Sequence, residues 1–150
     1  MTPSSTNNVA VGSESGKFLI TTDRYAGNYL LTNKNYNGNA EEVSIIRLDD
    51  YVAQKGLNRI DFIKCDVEGA EFLVMKGASH VLASLRPIVM LEIAEEWTRR
   101  FGFSSDDIKA FMCDAGYECK SAVEVSAQLN LDVVGAVSQS HNYFFFPRSL

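Results

Sequence analysis

The chain has 150 residues, 46% of them hydrophobic and 22% charged, which describes one globular domain able to bury a core. Its net charge is −5, and Lys and Arg are scattered, with Arg99-Arg100 the only basic doublet. A nucleic-acid surface needs clustered cations and is excluded on that ground, and no apolar run approaches the ~18 residues of a membrane span.

Residues 1–7 are polar, carry no signal-peptide core and are expected to be disordered, leaving a domain over 8–150 in a cytoplasmic protein. Val9-Ala10-Val11, the glycine-containing loop 12–16 and the run from Lys17 to Thr22 predict a two-strand hairpin. Asn28 to Thr32 reads as a third strand, Asn33 to Asn39 as a mobile loop, and Val43 to Arg47 as a return to β structure. Asp49 is placed to cap a helix through Lys55, with Gly56 where a left-handed residue is wanted. Ile60 to Cys65 reads as a short strand, and Glu71 to Lys76 as a helix ended or kinked at Gly77. Pro87 opens a strand, Ile88 to Ile93, that is apolar on both faces except at Glu92, as a parallel sheet between helix layers requires. Ser104 and Asp107 form a capping box, Ile108, Phe111, Met112 and Ala115 keep helical spacing, and Gly116 stops that helix. Tyr117 to Val125 and Asn142 to Phe146 supply the last strands. The alternation of helix and strand from residue 48 onward predicts an α/β layered domain.

The densest chemical signal is Asp61-Phe62-Ile63-Lys64-Cys65-Asp66-Val67-Glu68-Gly69-Ala70-Glu71, running from a strand through a tight turn into a helix. In open α/β sheets ligands bind beyond the carboxyl ends of strands, where Asp66 and Glu68 fall. Alternation puts Lys64 and Asp66 on one face, about 7 Å apart at ~3.3 Å per residue. Glu68 and Glu71 are spaced to share a face of the helix's first turn, and Gly69 permits a sharp bend or a close approach. A structural reading fits the same residues: acidic groups are favourable at a helix N-terminus, and Lys64 can simply pair with Asp66 or Glu92. Two carboxylates alone are a poor ligand set for a hard cation, so no metal site is expected. Cys65, Cys113 and Cys119 lack the spacing of a zinc site and are expected as unpaired thiols, although Cys113 and Cys119 could pair in an oxidising compartment. His80 and His141 are isolated and are assigned surface or capping roles. Trp97, Phe101 and Phe103 either line an acceptor pocket or pack as an apolar cluster, and Tyr143 to Phe146 reads as a buried strand.

The run from Ile60 to Ala78, IDFIKCDVEGAEFLVMKGA, resembles the core signature of FkbM-type methyltransferases. Arg47-Leu48-Asp49-Asp50-Tyr51 resembles that family's Leu-Asp-Asp helix start, and Arg86 to Ile93 its following strand ending in glutamate. Val9 to Gly12 with Gly16, Gly116-Tyr117 and Asn142-Tyr143-Phe144 are similar to its upstream turn and closing strands. The resemblance implies an S-adenosylmethionine-dependent enzyme that methylates an oxygen of a small molecule, commonly a sugar or natural-product hydroxyl. It also implies a Rossmann-like class I fold, a mostly parallel mixed sheet with flanking helices. By position in the motif, Asp66 is then the candidate for both cofactor contact and catalysis, with Glu68 second and Lys64 tuning either carboxylate. No GxGxxG-like run occurs in the sequence, so the fold is expected to lack its first two strands and the glycine-rich cofactor loop. Two readings stand side by side: a methyltransferase, or a non-catalytic remnant unable to hold the cofactor alone. The second carries an expected self-association through the strand edge left open at Ile60 to Cys65.

Overall fold

The computed structural model describes residues 6–23, 28–31, 36–129 and 141–149. Most of the expected disordered stretch 1–7, the end of the proposed third strand and the first part of the Asn-rich loop, residues 33–35, lie outside these residues. Among those described, no helix is long and apolar enough to cross a membrane.

Strands β1 (Ala10–Val11), β2 (Gly16–Thr21) and β3 (Ala40–Ile46) form a small N-terminal sheet in the order β1-β3-β2. The expected hairpin between the first two strands is not formed: each takes an opposite edge of β3, and Ala10 and Gly16 both lie opposite Ile45. The linker between them is fastened past the end of β3 instead of closing a turn. Gly12 N–H donates to the Ile46 carbonyl at 3.1 Å, and Ser15 Oγ accepts from Arg47 N–H and donates to Asp50. Among the described residues of the proposed third strand, Leu30 bridges to Ile20, flanked by hydrogen bonds from Thr21 N–H to the Tyr29 carbonyl and from Leu31 N–H to the Leu19 carbonyl.

Helix α1 (Leu48–Lys55) closes at Gly56, whose φ of 62° is the left-handed C-cap expected. Asp49 does not cap it. Its carboxylate instead accepts from the amides of His80 and Val81 at 3.1 and 2.9 Å, and so caps α3 (Ser79–Ser84), a helix the sequence pattern does not announce. Between them lie β4 (Phe62–Cys65) and α2 (Glu71–Lys76), the latter ending at Gly77 as read. Beyond α3 come β5 (Ile88–Glu92), α4 (Glu95–Thr98) with a 3-10 turn to Phe101, and α5 (Ser105–Asp114) with the expected Ser104/Asp107 capping box. Tyr117 to Val125 is not one strand. β6 ends at Ser121, where a second capping box with Glu124 starts α6 (Ala122–Gln128). β7 (Asn142–Pro147) returns to the sheet.

The main sheet has the order β4-β5-β7-β6. It is mixed rather than mostly parallel: β4 and β5 are parallel, while β7 runs antiparallel to both β5 and β6. Val89 and Leu91 on one face of β5 are fully buried, while Ile88, Met90 and Glu92 on the other are half-covered. The buried face joins Val52 of α1, Phe72 and Met75 of α2, Val81 and Leu82 of α3, and Ile108 and Met112 of α5 in one apolar cluster. Tyr117 is buried within it, its hydroxyl donating to the Leu82 carbonyl at 3.2 Å. Only Phe145 of the Tyr143–Phe146 run is fully buried; Phe144 and Phe146 stack on the other face. The N-terminal sheet is pressed against this body at the α2–α3 junction, where a Cβ on Gly77 would meet the Gly12 carbonyl oxygen at 2.0 Å.

Candidate active site

Strand register decides what meets at the end of the main sheet. Cys65 lies opposite Leu91 in the parallel β4–β5 pair, so the next residues of the two chains, Asp66 and Glu92, emerge side by side. Alternation keeps Lys64 on the face of Asp66, and its Nζ donates to Asp66 Oδ2 at 2.8 Å. The shared face read from the sequence is therefore present, with Glu92 as a third member that the spacing within the motif does not disclose. The sequence offers Glu92 only as a possible partner of Lys64; its place beside Asp66 comes from the register.

The three groups hold different proton affinities. The Lys64 ammonium hydrogen-bonded to Asp66 keeps that carboxyl below its ordinary range, outweighing partial burial. Glu92, beside Asp66 at the neighbouring strand end, is pushed up, first by burial and then by the Asp66 charge. Glu68 is raised by burial and by Asp66, against the opposing charge of Arg100. Adjacent carboxyls whose affinities are driven apart form a natural donor–acceptor pair for one proton.

The turn after β4 is tightly made. Glu68 stands in the left-handed region at φ 55°, a conformation that costs a side-chain-bearing residue free energy. Gly69 follows at φ 100°, and a Cβ there would lie 2.5 Å from the Trp97 carbonyl oxygen. Gly69 thus serves a close approach, between the β4–α2 turn and α4. Glu71 does not share an outer face with Glu68: it is fully buried, its Oε1 accepting from the amides of Val67 and Gly69.

A cleft of about 1130 Å³ lies between the N-terminal and main sheets, walled by Val11, Ile45, Leu48, Phe62 and Trp97. Lys64, Asp66, Glu68 and Glu92 occupy one part of its wall, and the Asn28–Leu30 stretch another. Arg100 lies 4.8 Å from the Tyr29 ring and ties that stretch to the segment after α4. The aromatic trio divides: Trp97 faces the cleft, whereas Phe103 packs edge-on against Phe72 at 4.8 Å in the interior. His80 is exposed beside Ser84, and His141 is exposed with its carbonyl accepting from Ile93 N–H. All three cysteines are unpaired. Among the described residues, no group of three or more His, Cys, Asp or Glu is arranged to hold a metal ion.

With the strand-end carboxylates in place, the family comparison becomes decisive: the model of the Methyltransferase FkbM domain matches residues 4–119. The chain belongs to the FkbM methyltransferase family. That match spans the N-terminal sheet, the β4–α2 motif, β5 and the capped helix α5, so every residue of the candidate site falls inside it. No curated protein and no solved structure matches the chain.

Proposed function

We propose that the cleft is a site of S-adenosylmethionine-dependent O-methylation, acting on a sugar or natural-product hydroxyl in a Rossmann-like class I frame. The observation that carries this reading is the meeting of Asp66 and Glu92 at adjacent strand ends inside an FkbM domain. The acidic wall of Asp66, Glu68 and Glu92 suits a cationic ligand, and Asp66 is the residue assigned to contact it. The cofactor supplies an electrophilic methyl group on a positively charged sulfur.

The acceptor oxygen must be held about 3 Å from that methyl and in line with the leaving sulfur, and Trp97 offers a flat wall for a sugar ring. In a transfer to such an oxygen the hydroxyl proton would pass to the Asp66–Glu92 pair. Glu92, the more basic member, is assigned as its resting place, while Lys64 holds Asp66 ionised and in position. Glu68 stands beside the pair and adds negative charge near the donor. The test is transfer of labelled methyl from S-adenosylmethionine to a panel of sugars and hydroxylated natural products. Asp66→Asn and Glu92→Gln are each expected to cut turnover by about 10²–10⁴-fold, the range for a lost general base. Turnover that survives both changes would make these carboxylates structural.

One observation favours a second reading for the polypeptide by itself. Among the described residues that line the cleft there is no glycine, so that part of the wall has none of the close backbone approach that a nucleotide-sized ligand exploits. On this reading the 150-residue chain binds S-adenosylmethionine too weakly to measure at micromolar concentration. Isothermal titration calorimetry decides it, and a micromolar dissociation constant excludes it.

A further inference from the structure

Glu71 is a carboxyl in a place where an apolar side chain would be cheaper. It is fully buried, Oε1 accepts from Val67 N–H at 2.9 Å and from Gly69 N–H at 3.4 Å, and Oε2 is buried without a hydrogen-bond partner. An acid in the first turn of a helix is favourable when solvated, but that gain does not offset burial of an orphaned carboxyl oxygen. What the side chain does achieve is local: it gathers the amides on either side of Glu68, the strained residue of the turn. The same turn is braced from outside by the Trp97 carbonyl against Gly69. Asp66 stands just before the clamped segment and owes its contact with Glu92 to where that segment begins.

We propose that Glu71 is a positioning residue: its buried carboxyl clamps the turn from Val67 to Gly69 from within and so keeps Asp66 against Glu92 and Glu68 on the cleft wall. The inference rests on the reading of Asp66 and Glu92 as the proton-accepting pair. Burial raises the Glu71 carboxyl above its ordinary range, against the pull of the amides of Val67, Gly69 and Glu71 itself. The titratable groups that act on it are Asp66 and Cys65, both from the end of β4.

The experiment is a carboxyl-carbon and amide-proton NMR titration of the full chain, alongside Glu71→Gln and Glu71→Leu. In the unsubstituted protein the Val67 and Gly69 amide protons should shift with the ionisation of Glu71 rather than of Asp66. Glu71→Gln keeps an oxygen acceptor and should preserve the separation between the Asp66 and Glu92 titrations. Glu71→Leu removes it, and the two titrations should move toward each other by about one pH unit as the pair loosens. Amide shifts that follow another group, a collapsed separation in folded Glu71→Gln, or an unchanged one in folded Glu71→Leu would each overturn the proposal. Should Glu71→Leu fail to fold, the amide shifts and the Gln variant still decide. No turnover is read, so failure of the methyl-transfer reading and failure of the clamp are told apart.

Discussion

Gly69→Ala tests the tightest contact of the site. At φ 100° an alanine carries backbone strain of about 1–3 kcal/mol. Its Cβ would also sit 2.5 Å from the Trp97 carbonyl oxygen and 2.6 Å from its carbon, and relieving overlap with backbone costs about another 1–3 kcal/mol. A total near ~4 kcal/mol, at about 2–4 °C per kcal/mol for a domain of this size, lowers the melting temperature by roughly 8–16 °C. Gly56→Ala is the control: φ is 62° but nothing lies within 4 Å of the added carbon, so only the left-handed penalty of about 1–2 kcal/mol applies. Thermal unfolding gives both numbers, and Trp97, the single tryptophan, reports the displacement directly through its fluorescence. In Gly69→Ala the folded-state emission should shift, and in Gly56→Ala it should not. Equal losses at the two glycines, with unchanged emission at both, would refute the packing of α4 on the β4–α2 turn.

The outer edge of β4 has no strand partner among the described residues, and Phe62 on it is 49% exposed. We propose that this edge drives self-association; light scattering after size exclusion should show mass rising with concentration and falling back in Phe62→Lys, whereas a monomer at every concentration refutes it. Asp49→Ala removes two amide hydrogen bonds at the start of α3 and should cost about 1–2 kcal/mol by urea unfolding; an unchanged midpoint would show that α3 needs no cap. Cys65 is buried and its thiol pushed far up by desolvation, while Cys113 and Cys119 are exposed. A thiol reagent at pH 8 should therefore label Cys113 first, Cys119, whose thiol is also raised by burial, more slowly, and Cys65 only on unfolding, and three equally fast thiols would refute the burial of β4. Because its folded pKa is raised, Glu71 contributes stability that is present below the ordinary glutamate pKa and lost as pH rises through the folded value. The melting temperature of Glu71→Gln relative to the unsubstituted chain should climb over that interval, and parallel pH profiles would show the carboxyl to be unperturbed.

Local chemistry was legible and pairing was not. The Ser104/Asp107 box, the stop at Gly56 and the turn at Gly69 depend on residues within a few positions of one another, and each stands where the sequence places it. The hairpin between β1 and β2 failed because nothing local reveals that β3, about twenty residues later, takes both strands. Asp49 was misassigned for the same reason: a cap looks identical in sequence whether it serves its own helix or one thirty residues away. The Tyr117 to Val125 run is the local exception: its Ser121/Glu124 capping box was masked by Val123 and Val125, whose spacing of two is a strand's. Within the site, Lys64 and Asp66 could be joined by alternation alone and Glu92 named as a possible partner of Lys64, whereas the meeting of Glu92 with Asp66 came through parallel register and the inward place of Glu71 through burial. Neither is a property of the motif's spacing.

That dependence on register has a consequence for the site itself. β4 is four residues long and, among the described residues, is tied by strand pairing on one side only, to β5. A slip of one residue would carry Lys64 to the opposite face and move Asp66 away from Glu92. Against this stand the burial of Cys65 beside Leu91, the hydrogen bond from Ile88 N–H to the Asp61 carbonyl, and the close fit of Gly69 to Trp97 one turn later. All three act at the ends of the strand and leave its outer edge untouched. A ligand along the cleft beside β4 that favoured the paired register would thereby favour the meeting of Asp66 and Glu92, and linkage then requires its affinity to depend on their protonation.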